Sequence, residues 1–159
     1  MTSTASATPP AFAGTFAAVS LQLQQGIGHK LFTVSHVLPG GQFVERIYTS
    51  DPAAYPVHGQ KPRDHTAWSF QMARGECFVA NHPDDFGPHF SDLATIVGQG
   101  LGAVINMPIL AGGRLMGTLN LLDAAGAYPT SAVDACLEVQ ALAARGFAEY
   151  EQSTATRPA

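Results

Sequence analysis

The segment that most constrains this chain is Gly102 to Asp123, GAVINMPILAGGRLMGTLNLLD. Two runs rich in Val, Ile, Leu, Met and Thr, Gly102 to Leu110 and Leu115 to Leu122, flank an Ala-Gly-Gly-Arg connection. Paired glycines between two such runs are a hairpin signal. Both runs are too apolar for a hairpin with one wet face, which places the pair at the centre of a sheet covered on both sides. Each run also holds one amide, Asn106 and Asn120. A buried amide needs a hydrogen-bonding partner, so these are the two places where the apolar pattern breaks.

The rest of the chain is read relative to this hairpin. Its 159 residues predict one domain, and the near-half hydrophobic content with few charges fits a compact globule. The net charge of −4 comes without any basic run, which argues against nucleic acid as a partner. No stretch approaches the roughly 20 apolar residues of a membrane span, and the start, MTSTASATPPAFAG, lacks the basic and apolar regions of a secretory leader. Cys77 and Cys136 are too few and too far apart for a disulfide scaffold or a paired-cysteine metal site. A cytoplasmic protein with reduced thiols is the expectation.

Residues 1–10, rich in Ser, Thr, Ala and Pro, read as a flexible arm, the domain as 11–150, and 151–159 as a flexible tail. A helix is expected from Ala11 to about Gly26, with Phe12, Phe16, Val19, Leu23 and Ile27 on one face. Strands follow at Leu31 to Leu38 and Phe43 to Ser50. Strand alternation sets Arg46, Tyr48 and Ser50 on one face of the second. Asp51 to Arg63, with three prolines, reads as a long irregular connection. A short helix capped by Asp64 is expected to run to Arg74, then a strand at Cys77 to Asn81. The stretch HPDDFGPHF (His82 to Phe90) reads as irregular. Ser91 caps a further helix to about Gln99. The last helix is expected from about Ser131 to Glu149, with a capping-box-like Ser131 and Asp134. Its inward stripe is Val133, Cys136, Leu137, Ala144 and Phe147, with Val139 and Leu142 widening it. Hairpins at both ends and helices between them predict an α+β domain with an antiparallel sheet.

This element order, together with GAVINMPILAGGRLMGTLNLLD, resembles a GAF domain over about Ala11 to Tyr150. The resemblance implies a central antiparallel sheet of five or six strands, terminal helices on one face, and loops and short helices roofing a pocket on the other. It also implies a small-molecule ligand and, for a chain this short, a free-standing sensor. A few GAF proteins are enzymes. Free methionine-(R)-sulfoxide reductases are small, single-domain members that use several cysteines around the pocket. Here only Cys77 falls near a plausible position, so the set is incomplete. Bilin attachment is disfavoured because Cys77 is followed by Phe78 and not His.

The implied pocket is roofed by Asp51 to Gly100 and floored by Arg46, Tyr48, Asn106 and Asn120. Ser50 leads from the same strand into the loop. Arg46 suits an anionic group through its planar fork, and Tyr48 suits a half-buried wall with a hydrogen-bonding end. Tyr55, His58, Lys61, Arg63 and His65 crowd one loop, which reads either as a wet surface or as a cover bringing charge and an acid/base imidazole to a ligand. Trp68, the single tryptophan, is read as roof packing that also touches ligand. Cys77 is a candidate nucleophile, with His58 or His82 as acid/base, if a nearby cation lowers its pKa. Otherwise it is a small buried hydrophobe. His82, Asp84, Asp85 and His89 carry metal-ligand donor types but match no known ligand spacing, and no cofactor is required by the sequence. The apolar edges of the terminal helices suggest a homodimer, or a chain that is a dimerisation module.

Overall fold

The computed structural model describes residues 9–63, 66–87, 90 and 92–155. Its centre is a six-stranded antiparallel sheet: β1 (Leu31–Val37), β2 (Phe43–Thr49), β3 (Gln60–Pro62), β4 (Phe78–Ala80), β5 (Ala103–Ala111) and β6 (Arg114–Asp123). The order across the sheet is β3-β2-β1-β6-β5-β4, every neighbour antiparallel. The helices are α1 (Ala11–Gly26), α2 (Ala67–Ala73), α3 (Leu93–Gly98), α4 (Ala132–Glu138) and α5 (Gln140–Ala155), with a single 3₁₀ turn at Pro83–Asp85. No helix among the described residues is long and apolar enough to cross a membrane.

The β5–β6 hairpin closes through Gly112 and Gly113, with Ala111 opposite Arg114. Both glycines have positive φ, +58° and +78°, the backbone that a two-residue hairpin matching the strand twist demands. β6 then pairs with β5 on one side and β1 on the other, so the hairpin does supply a central strand.

One face of the sheet is the main core. Phe32 and Val34 of β1, Ile105, Met107 and Ile109 of β5, and Leu119 and Leu121 of β6 meet Phe16, Val19 and Leu23 of α1 and Ala143 and Phe147 of α5. The five positions expected on one face all lie there, Phe12 of α1 and Ile27 just past its end at the margin. Contact between the terminal helices is close: a Cβ on Gly146 would lie 2.8 Å from the Phe16 ring. A second, smaller cluster (Leu31, Tyr55, Phe86, Ile96, Val104 and Leu122 among it) lies under α3 and the loops on the opposite face.

Several local expectations are corrected. The stretch 51–63 holds β3 at its end, because Gln60 to Pro62 pairs with Phe43 to Glu45 at the sheet edge, where a proline is tolerated. α2 is capped by Thr66, whose hydroxyl accepts from Ser69 N at 3.2 Å. Asp64, the expected cap, lies outside the described residues, as does Ser91; α3 begins after Asp92. The last helix is broken at Val139 into α4 and α5. Ser131 makes no side-chain cap bond, and Leu137 faces outward while Val139 is fully buried. α5 also continues through Ala155, so residues 151–155 are helix and not tail. Glu151 is held there by Arg114 and His36.

Candidate functional site

Strand alternation hands the face opposite α1 and α5 to Leu31, Thr33, Ser35 and Val37 of β1, Val44 and Arg46 of β2, Asn106 of β5, and Thr118, Asn120 and Leu122 of β6. Over them lie Trp68, Ser69 and Met72 of α2, Tyr55 and Lys61 to Arg63 of the 51–63 segment, and Phe90, Asp92 and Ile96 near α3. Together they line a half-open cavity of about 180 Å³. A cavity of about 150 Å³ holds a benzene-sized solute, so this space suits a small ligand with a body of about benzene size.

The floor is a hydrogen-bonded chain across three strands. Asn106 and Asn120 are direct cross-strand partners, and Asn106 Nδ2 donates to Asn120 Oδ1 at 2.8 Å. Thr118 Oγ1 donates to the same oxygen at 3.0 Å. Asn120 Nδ2 donates to Thr33 Oγ1 and Ser35 Oγ, both at 3.2 Å. Trp68 Nε1 donates to Asn106 Oδ1 at 3.0 Å and ties the roof to the floor. Both asparagines therefore lie on the cavity side and use their amides on one another and on their neighbours.

Arg46 differs. Its Nη1 donates to Pro56 O at 3.1 Å, and its Cζ lies 5.4 Å from the centre of the Tyr55 ring. Its Nε is buried with no hydrogen-bond partner, and so is the hydroxyl of Tyr55, a side chain only 7% exposed. Burial lowers the Arg46 pKa, opposed by the charge of Asp92, but a guanidinium stays protonated in proteins. Burial raises the Tyr55 pKa, and Asp92 adds to it. Among the described lining residues Lys61 and Asp92 form an ion pair at 4.0 Å.

A bulge places Arg46. Val34 pairs with Tyr48 and Ser35 with Arg46, so Ile47 is the extra residue of β2. Ile47 and Tyr48 consequently both join the helix-face core. This corrects the placing of Tyr48 with Arg46: Tyr48 packs near Phe16 and Phe32, with ring centres 6.2 and 5.8 Å away. Ser50 is absent from the lining too, since its hydroxyl accepts from Phe32 N at 2.9 Å and closes the β1–β2 ladder. His58 is turned to Glu45, Nδ1 to Oε1 2.8 Å, with a largely exposed side chain. Its backbone, at φ +71°, donates to Arg46 O while Arg46 N donates to Gly59 O, so this residue braces Arg46 from behind.

His82 and Cys77 are not among the residues that line the cavity. His82 is exposed beside Asp84, 3.3 Å away, and no three His, Cys, Asp or Glu side chains among the described residues form a metal-binding group. His89 lies outside the described residues, as does His65. Cys77 packs at the edge of the main core, and burial pushes its thiol up to about 11. It is a protonated thiol at neutral pH, the opposite of an activated nucleophile. Thr33, Ser35, Thr118 and Asp92 were not singled out from sequence. Thr33 and Ser35 did carry a signal, alternating with buried Phe32 and Val34. Asp92 carried none, since an acidic residue at a helix start reads as a cap.

Solved structures share this architecture. The GAF domain of a two-component sensor histidine kinase from Bacillus halodurans superposes with a TM-score of 0.70 at 10% identity, over 89% of this chain and 96% of that one. The chain has the GAF-domain fold. A free methionine-R-sulfoxide reductase from Neisseria meningitidis, solved with its substrate, gives 0.68 at 15% identity over 89% and 81%. A red/green cyanobacteriochrome in its red light-absorbing state gives 0.61 at 17% over 92% and 99%. No protein-family model and no curated protein matches the sequence. At such identities the GAF fold alone is shared, and the function has to be argued from the cavity.

Proposed function

We propose that this GAF-fold chain is a small-molecule-binding sensor domain whose ligand occupies the cavity between β1, β2, β5 and β6 and the α2–α3 side. The observation that carries the reading is the pairing of a hydrogen-bonded polar floor with unpartnered buried donors: Arg46 and Tyr55 line the cavity, and Arg46 Nε and Tyr55 Oη are buried without a hydrogen-bond partner. An unpaired buried donor is destabilising, and a ligand acceptor removes that penalty. Arg46, Tyr55, Lys61, Trp68, Asn106 and Asn120 are the proposed ligand-contacting residues. The sensor histidine kinase and cyanobacteriochrome neighbours support a sensing role by analogy of fold.

The enzymatic alternative draws less support. Cys77, His58 and His82 are three separate sites, none lining the cavity, and the Cys77 thiol is raised, not lowered. A homodimer through the terminal helices is a further part of the proposal, supported by Leu21 of α1 and Leu137 of α4, 59% and 48% exposed. The two free cysteines support a reducing, cytoplasmic setting.

Native mass spectrometry of the protein purified from its own cells tests the binding reading. A mass increment from one small molecule per chain, lost in Trp68→Ala, is the expected result. An unchanged apo mass, together with no extract component that raises the melting temperature, would overturn it.

A further inference from the structure

The donors around the cavity are not evenly used, and the imbalance names a ligand class. The asparagine floor is mostly paired: Asn106 Oδ1 takes Trp68, Asn106 Nδ2 gives one of its two hydrogens to Asn120 Oδ1, which also takes Thr118, and Asn120 Nδ2 serves Thr33 and Ser35. A guanidinium has five N–H donors, and among the described residues Arg46 makes one hydrogen bond, to Pro56 O, and no ion pair within 4.0 Å. Tyr55 Oη, beside it, makes none. Both groups ask for an acceptor, and the cation asks for negative charge. Among the described lining residues Lys61 and Arg63 join Arg46 against one carboxylate, Asp92, a net +2 by three bases minus one acid. The walls beyond Arg46 are apolar: Leu31, Val44, Met72, Phe90, Ile96 and Leu122.

We infer that the cavity takes a small organic carboxylate, with its carboxylate on Arg46 and Tyr55 and an apolar body of about benzene size against Met72, Ile96 and Leu122. This rests on the reading of the cavity as a ligand site. A planar carboxylate matches the guanidinium fork with two parallel hydrogen bonds. Asp92, whose charge reaches both Arg46 and Tyr55, offsets part of the positive charge of the lining. The floor favours ligands that need few polar contacts, because most of its amide capacity is already in use.

The test uses three near-isosteric probes on the full chain: phenylacetate, phenylacetamide and phenethylamine, compared by isothermal titration at constant ionic strength. Phenylacetate is expected to bind roughly tenfold or more tighter than the amide, the scale of a charge-assisted hydrogen-bond pair, with the amine weakest. Arg46→Met is expected to weaken the carboxylate far more than the amide, erasing the preference between them. Tyr55→Phe, which removes one oxygen and keeps the packing, is expected to reduce it. Equal or tighter binding of the amide or amine, or a preference that survives Arg46→Met, overturns the carboxylate inference and leaves the cavity reading standing. Failure of all three probes, with no extract component binding either, overturns both.

Discussion

Strand β6 carries both halves of the molecule in alternation. Leu119 and Leu121 point into the helix-face core and are fully buried. Thr118, Asn120 and Leu122 point the other way and line the cavity. The first face is apolar and close-packed, down to the 2.8 Å approach that a Cβ on Gly146 would make to Phe16. The second is a polar network, an open space and two unpartnered donors. Close packing is the normal state of a protein interior, so the helix face is where stability is held. The cavity face departs from that norm, and departures of this kind mark function.

The largest expected effect separates the two faces with one chemistry. Leu119→Ala should destabilise by about 3–5 kcal/mol, and Leu122→Ala by about 2 kcal/mol, because a side chain already bordering a cavity has fewer contacts to lose. Urea midpoints of the two variants give the comparison, and equal losses would break it. Next, Gly146→Ala should cost about 1–3 kcal/mol by overpacking against Phe16. A co-substitution Phe16→Leu should recover part of that loss in the same assay.

On the cavity side, Asn106→Ala should cost about 1–3 kcal/mol, since it removes the acceptor of Trp68 Nε1 and a donor to Asn120. A double-mutant cycle with Trp68→Phe is the sharper form: the tryptophan change should matter less once Asn106 is gone. Additive effects would mean that floor and roof are not coupled.

The smallest effect is electrostatic. Glu151 is held below the usual carboxylate range by Arg114 and, more weakly, His36, against a desolvation that opposes them. A depressed folded pKa means the contribution is present above the unfolded value near 4.5 and is lost as pH falls through the folded one. The pair with Arg114 is exposed enough that less than about 1 kcal/mol is expected. Glu151→Gln should therefore lower the urea midpoint slightly at pH 7, with the gap closing toward pH 3.

Much of this fold is legible in the sequence. The hairpin glycines, the helical spacing of Phe12 to Ile27 and the alternation of β1 each follow from local geometry, which the structure had no reason to override. The site is legible only in part. Asn106 and Asn120 stand out because amides break an apolar run, but their pairing depends on register, which no local pattern encodes. Tyr48 was misplaced because strand alternation assumes an unbroken ladder. The bulge at Ile47 shifts it by one residue, and nothing in Phe-Val-Glu-Arg-Ile-Tyr announces a bulge. His58 looked like an acid/base candidate, yet it serves through its backbone. β3 was hidden because three paired residues carry too little pattern to read.

Trp68 is the single tryptophan of the chain, so its indole N–H gives one isolated cross-peak in a ¹H–¹⁵N spectrum. It donates to Asn106 across the cavity and has no place in the helix-face core. Titrating the ¹⁵N-labelled protein with the low-molecular-weight fraction of its own cell extract tests the division of the two faces directly. The account predicts that the indole peak and the amides of Thr33, Arg46 and Asn120 move together while those of Phe16 and Phe147 stay in place. Shifts confined to the Phe16 and Phe147 side, with the Trp68 peak unmoved, would contradict it.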